Sequence, residues 1–151
     1  MIESKKQRGL AAAFRERSLR CTPQRYAVLD FLVRHPVHAT AEEIFRAVNR
    51  LDPRASRATV YNSLHALTEA GLVREVPLDG KAARFDANVE RHHHFVCDVC
   101  GRVEDIDWFE LPRLGHHAPL AERAIRGYEI IFRGICTHCR AKTSKKEQPD
   151  V

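Results

Sequence analysis

The run Arg91-His92-His93-His94-Phe95-Val96-Cys97-Asp98-Val99-Cys100 sets three histidines beside a Cys-x-x-Cys, and a second pair, Cys136 and Cys139, lies near the C-terminus. Four cysteines in two x-x spacings match one tetrahedral thiolate site for zinc. Four thiolates leave no open coordination position, so such a site holds structure and does not catalyse. A redox dithiol is the competing reading of one Cys-x-x-Cys, but two pairs in one small domain favour zinc. The thirty-five residues between the pairs suffice for a strand, a helix and a strand whose ends return to the start. Zinc would then hold that half together, since binding energy is folding energy in small metal domains. Gly101 suits the tight turn of a zinc knuckle.

The histidines belong to a different chemistry. Side chains alternate along a strand, so His92 and His94 share one face and His93 takes the other. Carboxylates stand nearby in Asp86 and Asp105, and His38 precedes a predicted helix. Imidazole and carboxylate together suit iron(II), manganese(II) or zinc. Two readings stay open on the residues alone. In one, His38, Asp86, His92, His94 and Asp105 hold a regulatory ion that bridges two halves of the chain and fixes their angle, which is how a metal controls a distant binding surface. In the other, the histidines form a solvated surface or extra support for the zinc knuckle. His35, His65, His116, His117 and His138 have no evident partners in sequence.

The elements that would position these groups can be read from caps and periodicity. A short helix is expected over Leu10 to Arg17. Thr22-Pro23 opens a second, with Thr22 as N-cap and a stripe of Val28, Leu29, Leu32 and Val33, and His35-Pro36 ends it. Thr40 and Glu43 form a capping box for a third, buried through Ile44, Phe45 and Val48. Ser56 caps a fourth, with Val60, Leu64 and Leu67 facing inward and Gly71 at its end. Two strands follow, Leu72 to Val76 and Ala83 to Asp86, joined through Asp79-Gly80. Three helices and a hairpin make a winged helix-turn-helix, whose last helix would enter a major groove. The second half reads as strands over His93 to Val96 and Arg102 to Asp107, a helix over Leu111 to Ala124 and a strand over Glu129 to Phe132. The polar stretch Lys142 to Val151 is expected to be disordered. The fold class is therefore α+β: a winged-helix DNA-binding domain over 1–87, a hinge at 88–90, an α/β zinc-bearing domain over 91–143 and a disordered tail over 144–151.

The 151 residues carry a net charge of +5, and 44% are hydrophobic. That fits one ordinary or two small domains, with a basic balance that suits an anionic partner. No apolar run approaches the ~18 residues of a membrane span, and Met1 to Arg8 lacks the apolar centre of a signal peptide, so a cytoplasmic protein is expected. In that compartment paired cysteines read as metal ligands before disulfides. Cys21, without a partner, is expected to be a small buried residue.

Several segments together resemble the ferric-uptake-regulator (Fur) family of bacterial metal-dependent repressors: Thr22-Pro23-Gln24-Arg25, His38-Ala39-Thr40-Ala41-Glu42-Glu43-Ile44, Ala58-Thr59-Val60-Tyr61-Asn62-Ser63-Leu64, Arg84-Phe85-Asp86, the His92 to Cys100 run, and Cys136-x-x-Cys139. Their order and spacing agree over roughly residues 10 to 141. The resemblance implies a homodimer that binds an inverted-repeat operator in double-stranded DNA and performs no enzymatic turnover. It places Tyr61 and Asn62 on the recognition helix, Arg20 in a minor groove and Arg57 at a backbone or base contact. It implies structural zinc on the four cysteines and regulatory iron(II) or manganese(II) on His38, Asp86, His92, His94 and Asp105. Aspartates at 86 and 105 and Asn62 resemble the peroxide-sensing group within the family, in which ligand histidines, here His38 and His92, are oxidised and DNA is released. An iron- or zinc-responsive repressor of metal uptake is the alternative. A further metal site found in some members would need histidines where Arg91 and Tyr128 stand.

Overall fold

The computed structural model describes residues 5–36, 38–77, 82–111 and 118–146. The chain forms two compact units, Met1–Val89 and Glu90–Val151.

The first unit has four helices, α1 (Lys5–Glu16), α2 (Pro23–Arg34), α3 (Ala41–Leu51) and α4 (Arg57–Glu69), with short strands β1 (Ala39–Thr40), β2 (Arg74–Val76) and β3 (Arg84–Asp86). Each cap read from sequence is present. Thr22 accepts from the Arg25 N–H and Ser56 from the Thr59 N–H, and Thr40 and Glu43 form a reciprocal box. Two helices end in the same double hydrogen bond. At α1, Leu19 N–H donates to the Phe14 carbonyl and Ser18 N–H to that of Arg15; at α4, Leu72 donates to Leu67 and Gly71 to Thr68. The left-handed residue this closure needs is Gly71 (φ 68°) at α4 but Ser18 (φ 51°) at α1, where the Cβ makes the conformation less favourable. The core is the inward stripe of all four helices. Phe14, Val28, Ile44, Val60, Leu64, Leu67 and Val73 are buried to 2% exposure or less. Burying each such side chain is worth ~1.5–3 kcal/mol. Val33 lies at the edge of its stripe and is exposed.

The sheet order is β1-β3-β2. β1 is an addition to the predicted hairpin. It is two residues long, too short for any alternation to reveal, and pairs Ala39 with Phe85 and Thr40 with Arg84. That pairing brings His38, just before β1, beside Asp86 at the end of β3. The turn residues 78–80 lie outside the described residues.

In the second unit β4 (His92–Cys97) is the central strand, antiparallel to β5 (Val103–Asp107) and parallel to β6 (Ile131–Gly134). A helix, α5 (Thr137–Lys146), follows the second cysteine pair. Three expectations are corrected here. The helix expected over Leu111 to Ala124 is not formed in its described part: Ala118–Leu120 is one 3-10 turn, and 121–130 has no regular element. Pro119 denies that stretch an amide donor, and Gly127 breaks it again. Residues 112–117 lie outside the described ones. The last strand starts at Ile131 rather than Glu129. The tail expected to be disordered from 144 is helical as far as Lys146, in a helix tethered at its start by Cys136 and Cys139.

Candidate metal centres and DNA-facing helix

Cys97, at the end of β4, and Cys100, three residues on, face Cys136 and Cys139, which flank the start of α5; all four sulfurs lie within 4.8 Å of one another. Cys100 Sγ and Cys136 Sγ are 3.8 Å apart. That is the edge expected of a tetrahedron with ~2.3 Å zinc–sulfur bonds. Gly101 (φ 71°) makes the knuckle turn and donates its N–H to the Cys97 carbonyl at 2.9 Å. Backbone N–H groups, that of Cys136 first, are aimed at Cys97 and hold its thiol down to about 6. Burial, then crowding by the other sulfurs, pushes Cys139 up to about 12. Sulfurs this close resist ionising together, and a dication in their midst removes that conflict. The residues fit zinc.

In the first unit, His38 Nε2 stands 3.5 Å from Asp86 Oδ2, with both side chains buried. Arg84 holds this loop: its Nη1 donates to the His38 carbonyl at 2.6 Å and lies 3.6 Å from Glu43 Oε2. That carboxylate also accepts from the Thr40 N–H at 2.7 Å, so the capping box of α3 and the His38 loop share one anchor. Burial alone would raise the Glu43 carboxyl. The Thr40 N–H and hydroxyl, with Arg84 and Arg46, outweigh it and leave the carboxyl below the usual carboxylate range.

In the second unit, His92 and His94 lie on one face of β4 and are buried, with Nε2 to Nε2 3.0 Å. Asp105, paired with His94 across β5, puts Oδ1 3.5 Å from His92 Nε2. The far nitrogens are engaged elsewhere: His92 Nδ1 is 2.8 Å from the Glu90 carbonyl and His94 Nδ1 is 2.6 Å from Glu129 Oε1. The Glu90 carbonyl can only accept, so it suits a hydrogen on His92 Nδ1, while His94 Nδ1 lies at ion-pair distance from the Glu129 carboxylate. Two imidazole Nε2 atoms facing each other at 3.0 Å, with a carboxylate alongside, are a cation's ligand set. The donors fit a divalent metal.

His93 does none of this. It is fully buried on the opposite face among Trp108, Phe109, Tyr128 and Phe132, with ring centroids 4.6–6.4 Å away. Its Nδ1 accepts from the Ile130 N–H, and its Nε2–H donates to the Phe109 carbonyl. Arg91 lies 4.0 Å over Trp108, and Tyr128 donates to the Phe109 carbonyl. The two positions where some family members carry histidines are thus part of an aromatic stack.

On α4, Tyr61 is half-exposed, Asn62 is exposed, and Ser63 and Leu64 turn inward. Arg20 is exposed and its carbonyl accepts from Arg25. Arg57 makes two 3.0 Å bonds to Glu42 and lies over the Phe45 ring. Its guanidinium is therefore occupied within the protein. Cys21 is exposed, contrary to expectation, because it follows Arg20 in the connection into α2, before any buried position. Sequence reasoning missed Glu129 and Arg84. The one available signal for Glu129 was its offset of two residues from the position paired with His94, which requires the parallel register to be known.

Residues 16–122 match the model of the Ferric uptake regulator family. The chain is 33% identical over 134 residues to the peroxide-responsive repressor PerR of Staphylococcus aureus, covering 87% of this chain and 89% of that protein. Its fold matches the Campylobacter jejuni peroxide stress regulator with a TM-score of 0.60 at 26% identity, covering 90% of this chain and 100% of that one. A zinc uptake regulator complexed with zinc and DNA shares the fold at a TM-score of 0.71 and 24% identity, covering 94% and 99%. Two units, one a winged helix and the other carrying paired cysteines, thus define a metal-dependent DNA-binding regulator. The chain belongs to the ferric uptake regulator family. It has that family's N-terminal DNA-binding and C-terminal dimerisation domains, and the family's members are transcription regulators. Among the described residues no helix is long and apolar enough to cross a membrane.

Proposed function

We propose that this chain is a homodimeric repressor that binds an inverted-repeat operator when a regulatory iron(II) or manganese(II) ion is bound, and that hydrogen peroxide releases it from DNA through the iron form. In this reading Cys97, Cys100, Cys136 and Cys139 hold structural zinc, and His38, Asp86, His92, His94 and Asp105 supply the regulatory ligands. Residues 88–90 serve as the hinge, and Arg20, Tyr61 and Asn62 meet DNA. The observation that carries the metal assignment is the pair of facing Nε2 atoms at 3.0 Å. The peroxide signal is supported by the likeness to PerR and by aspartates at both 86 and 105. Arg57 meets DNA in this reading only after exchanging Glu42 for phosphate, which is the bidentate partner a guanidinium accepts equally.

Iron(II), if held by His38, Asp86, His92, His94 and Asp105, would activate hydrogen peroxide beside those ligands. The chain's part is to hold an imidazole there. Hydrogen peroxide transfers one oxygen atom to a ring carbon of His38 or His92 and leaves as water. The oxidised ring is a poor ligand, the ligand set loosens, and operator affinity falls.

The test loads zinc-bound protein with iron(II) or manganese(II), exposes each form to low hydrogen peroxide, and weighs the peptides carrying His38 and His92. One added oxygen in the iron form alone, with loss of operator binding, supports the reading. No oxidation in either form overturns it and leaves a repressor that responds to iron or zinc directly, to be identified by metal-dependent DNA affinity.

A further inference from the structure

The three consecutive histidines meet different partners. His92 Nδ1 faces the Glu90 carbonyl and His94 Nδ1 the Glu129 carboxylate, whereas His93 lies between the Ile130 N–H, which donates to its Nδ1, and the Phe109 carbonyl at its Nε2. At Nδ1, His92 meets a main-chain carbonyl and His94 a side-chain carboxylate.

The register explains how that side chain arrives. His94 pairs with Ile131 across the parallel β4–β6 ladder, and the His94 N–H donates to the Ile130 carbonyl at 3.0 Å. Glu129 lies two residues before Ile131, just ahead of β6, on the side of the sheet where His94 stands. There its Oε1 reaches His94 Nδ1 at 2.6 Å, while His94 is fully buried. Glu129 touches the nitrogen away from His92 and Asp105, so it is placed to orient the ring and not to bind the ion.

We propose that Glu129 is the positioning residue of His94: its carboxylate fixes the Nδ1–H tautomer and ring orientation, and so presents the Nε2 lone pair to the regulatory metal. Without it, a buried imidazole is at liberty to place its hydrogen on Nε2, where it would donate toward His92 and block the ligand position. A carboxylate behind a ligating imidazole also raises its basicity, and removal of such a partner typically weakens metal binding ~10–100-fold. The inference rests on reading His92, His94 and Asp105 as ligands.

The experiment uses full-length, zinc-loaded protein and manganese(II) as the probe. Manganese binding is titrated for the natural chain and for Glu129→Gln, Glu129→Ala, Glu129→Met and His94→Ala. In parallel, nitrogen-15 histidine spectra of the protein without manganese report the His94 tautomer, which a merely structural role for Glu129 would leave alone. Expected are an Nδ1–H signal in the natural chain, its partial replacement by Nε2–H in the alanine and methionine variants, and manganese binding weakened at least tenfold there. Glutamine keeps an acceptor and should stay within a few-fold of the natural chain. Zinc content should not change, and if the alanine variant loses zinc, the methionine variant, of similar length but without an acceptor, decides. His94→Ala losing manganese while the alanine and methionine variants bind as the natural chain does would overturn the role of Glu129. His94→Ala binding manganese normally would instead overturn the ligand assignment beneath it.

Discussion

Replacing Arg84 with Met keeps most of the aliphatic volume and removes the guanidinium that holds the His38 loop. Two interactions are lost: the 2.6 Å bond to the His38 carbonyl and the 3.6 Å approach to Glu43. A hydrogen bond from a charged donor contributes ~1.5–3 kcal/mol, and at 25% exposure of the Arg84 side chain the lower end applies. The Glu43 carboxylate is more exposed, so its share is a few tenths of a kcal/mol at most. A loss of ~1.5 kcal/mol should lower the first unit's unfolding temperature by roughly 6–12 °C. If the same contact orders His38 for metal, manganese(II) affinity should fall by up to about tenfold. Calorimetry of the zinc-loaded protein and a manganese titration read the two effects separately. Unchanged melting would mean that Arg84 does not hold this loop. Lower melting with unchanged manganese binding would mean that loop order is not coupled to the ligand set.

Thr40→Ala supplies the contrasting case. It removes the acceptor for the Glu43 N–H and should cost ~1 kcal/mol in denaturant unfolding, with manganese affinity kept within twofold because Arg84 still holds His38. Ile44→Ala opens the fully buried core of the first unit and should cost ~2–5 kcal/mol by the same assay. Acid should strip zinc: protons compete for the thiolates, so zinc affinity falls as pH falls. The drop should be steepest below about 6, where even the Cys97 thiol keeps its proton; a zinc-release assay that showed no pH dependence would contradict thiolate ligation. Tyr61→Ala should reduce preference for operator over random DNA by roughly 5–150-fold while leaving non-specific affinity nearly unchanged, measured by competition binding at fixed salt.

How far the sequence could be read depended on whether a signal was local. Caps are local: Thr22, Thr40 and Ser56 each act within three residues, and all three helices start where those residues stand. Alternation is local too, and it separated His92 and His94 from His93 correctly. The environment of His93 was beyond it, since Trp108, Phe109, Tyr128 and Phe132 arrive from distant segments. So were Arg84 and Glu129, whose contacts depend on pairings of β1 with β3 and β4 with β6 that no periodicity encodes. The expectation of a helix over 111–124 gave Pro119, in the middle of that span, too little weight. The exposure of Cys21 shows the opposite error, a preference drawn from residue type applied to a connection that buries nothing.

β4 carries both chemistries on six residues. From His94 to Cys97 the strand rises only ~10 Å. Because faces alternate, inserting or deleting one residue between them would send His92 and His94 into the aromatic stack and turn His93 toward Asp105. The knuckle at Cys97 is fixed by three other sulfurs, so it defines the phase from which the histidines upstream are counted. In that sense zinc acts as a reading frame for the strand: it contributes no reactivity, yet it decides which imidazoles are presented and which are packed away. Single-residue indels in this segment should therefore be far less tolerated than substitutions of Phe95, which would change a contact but keep the count.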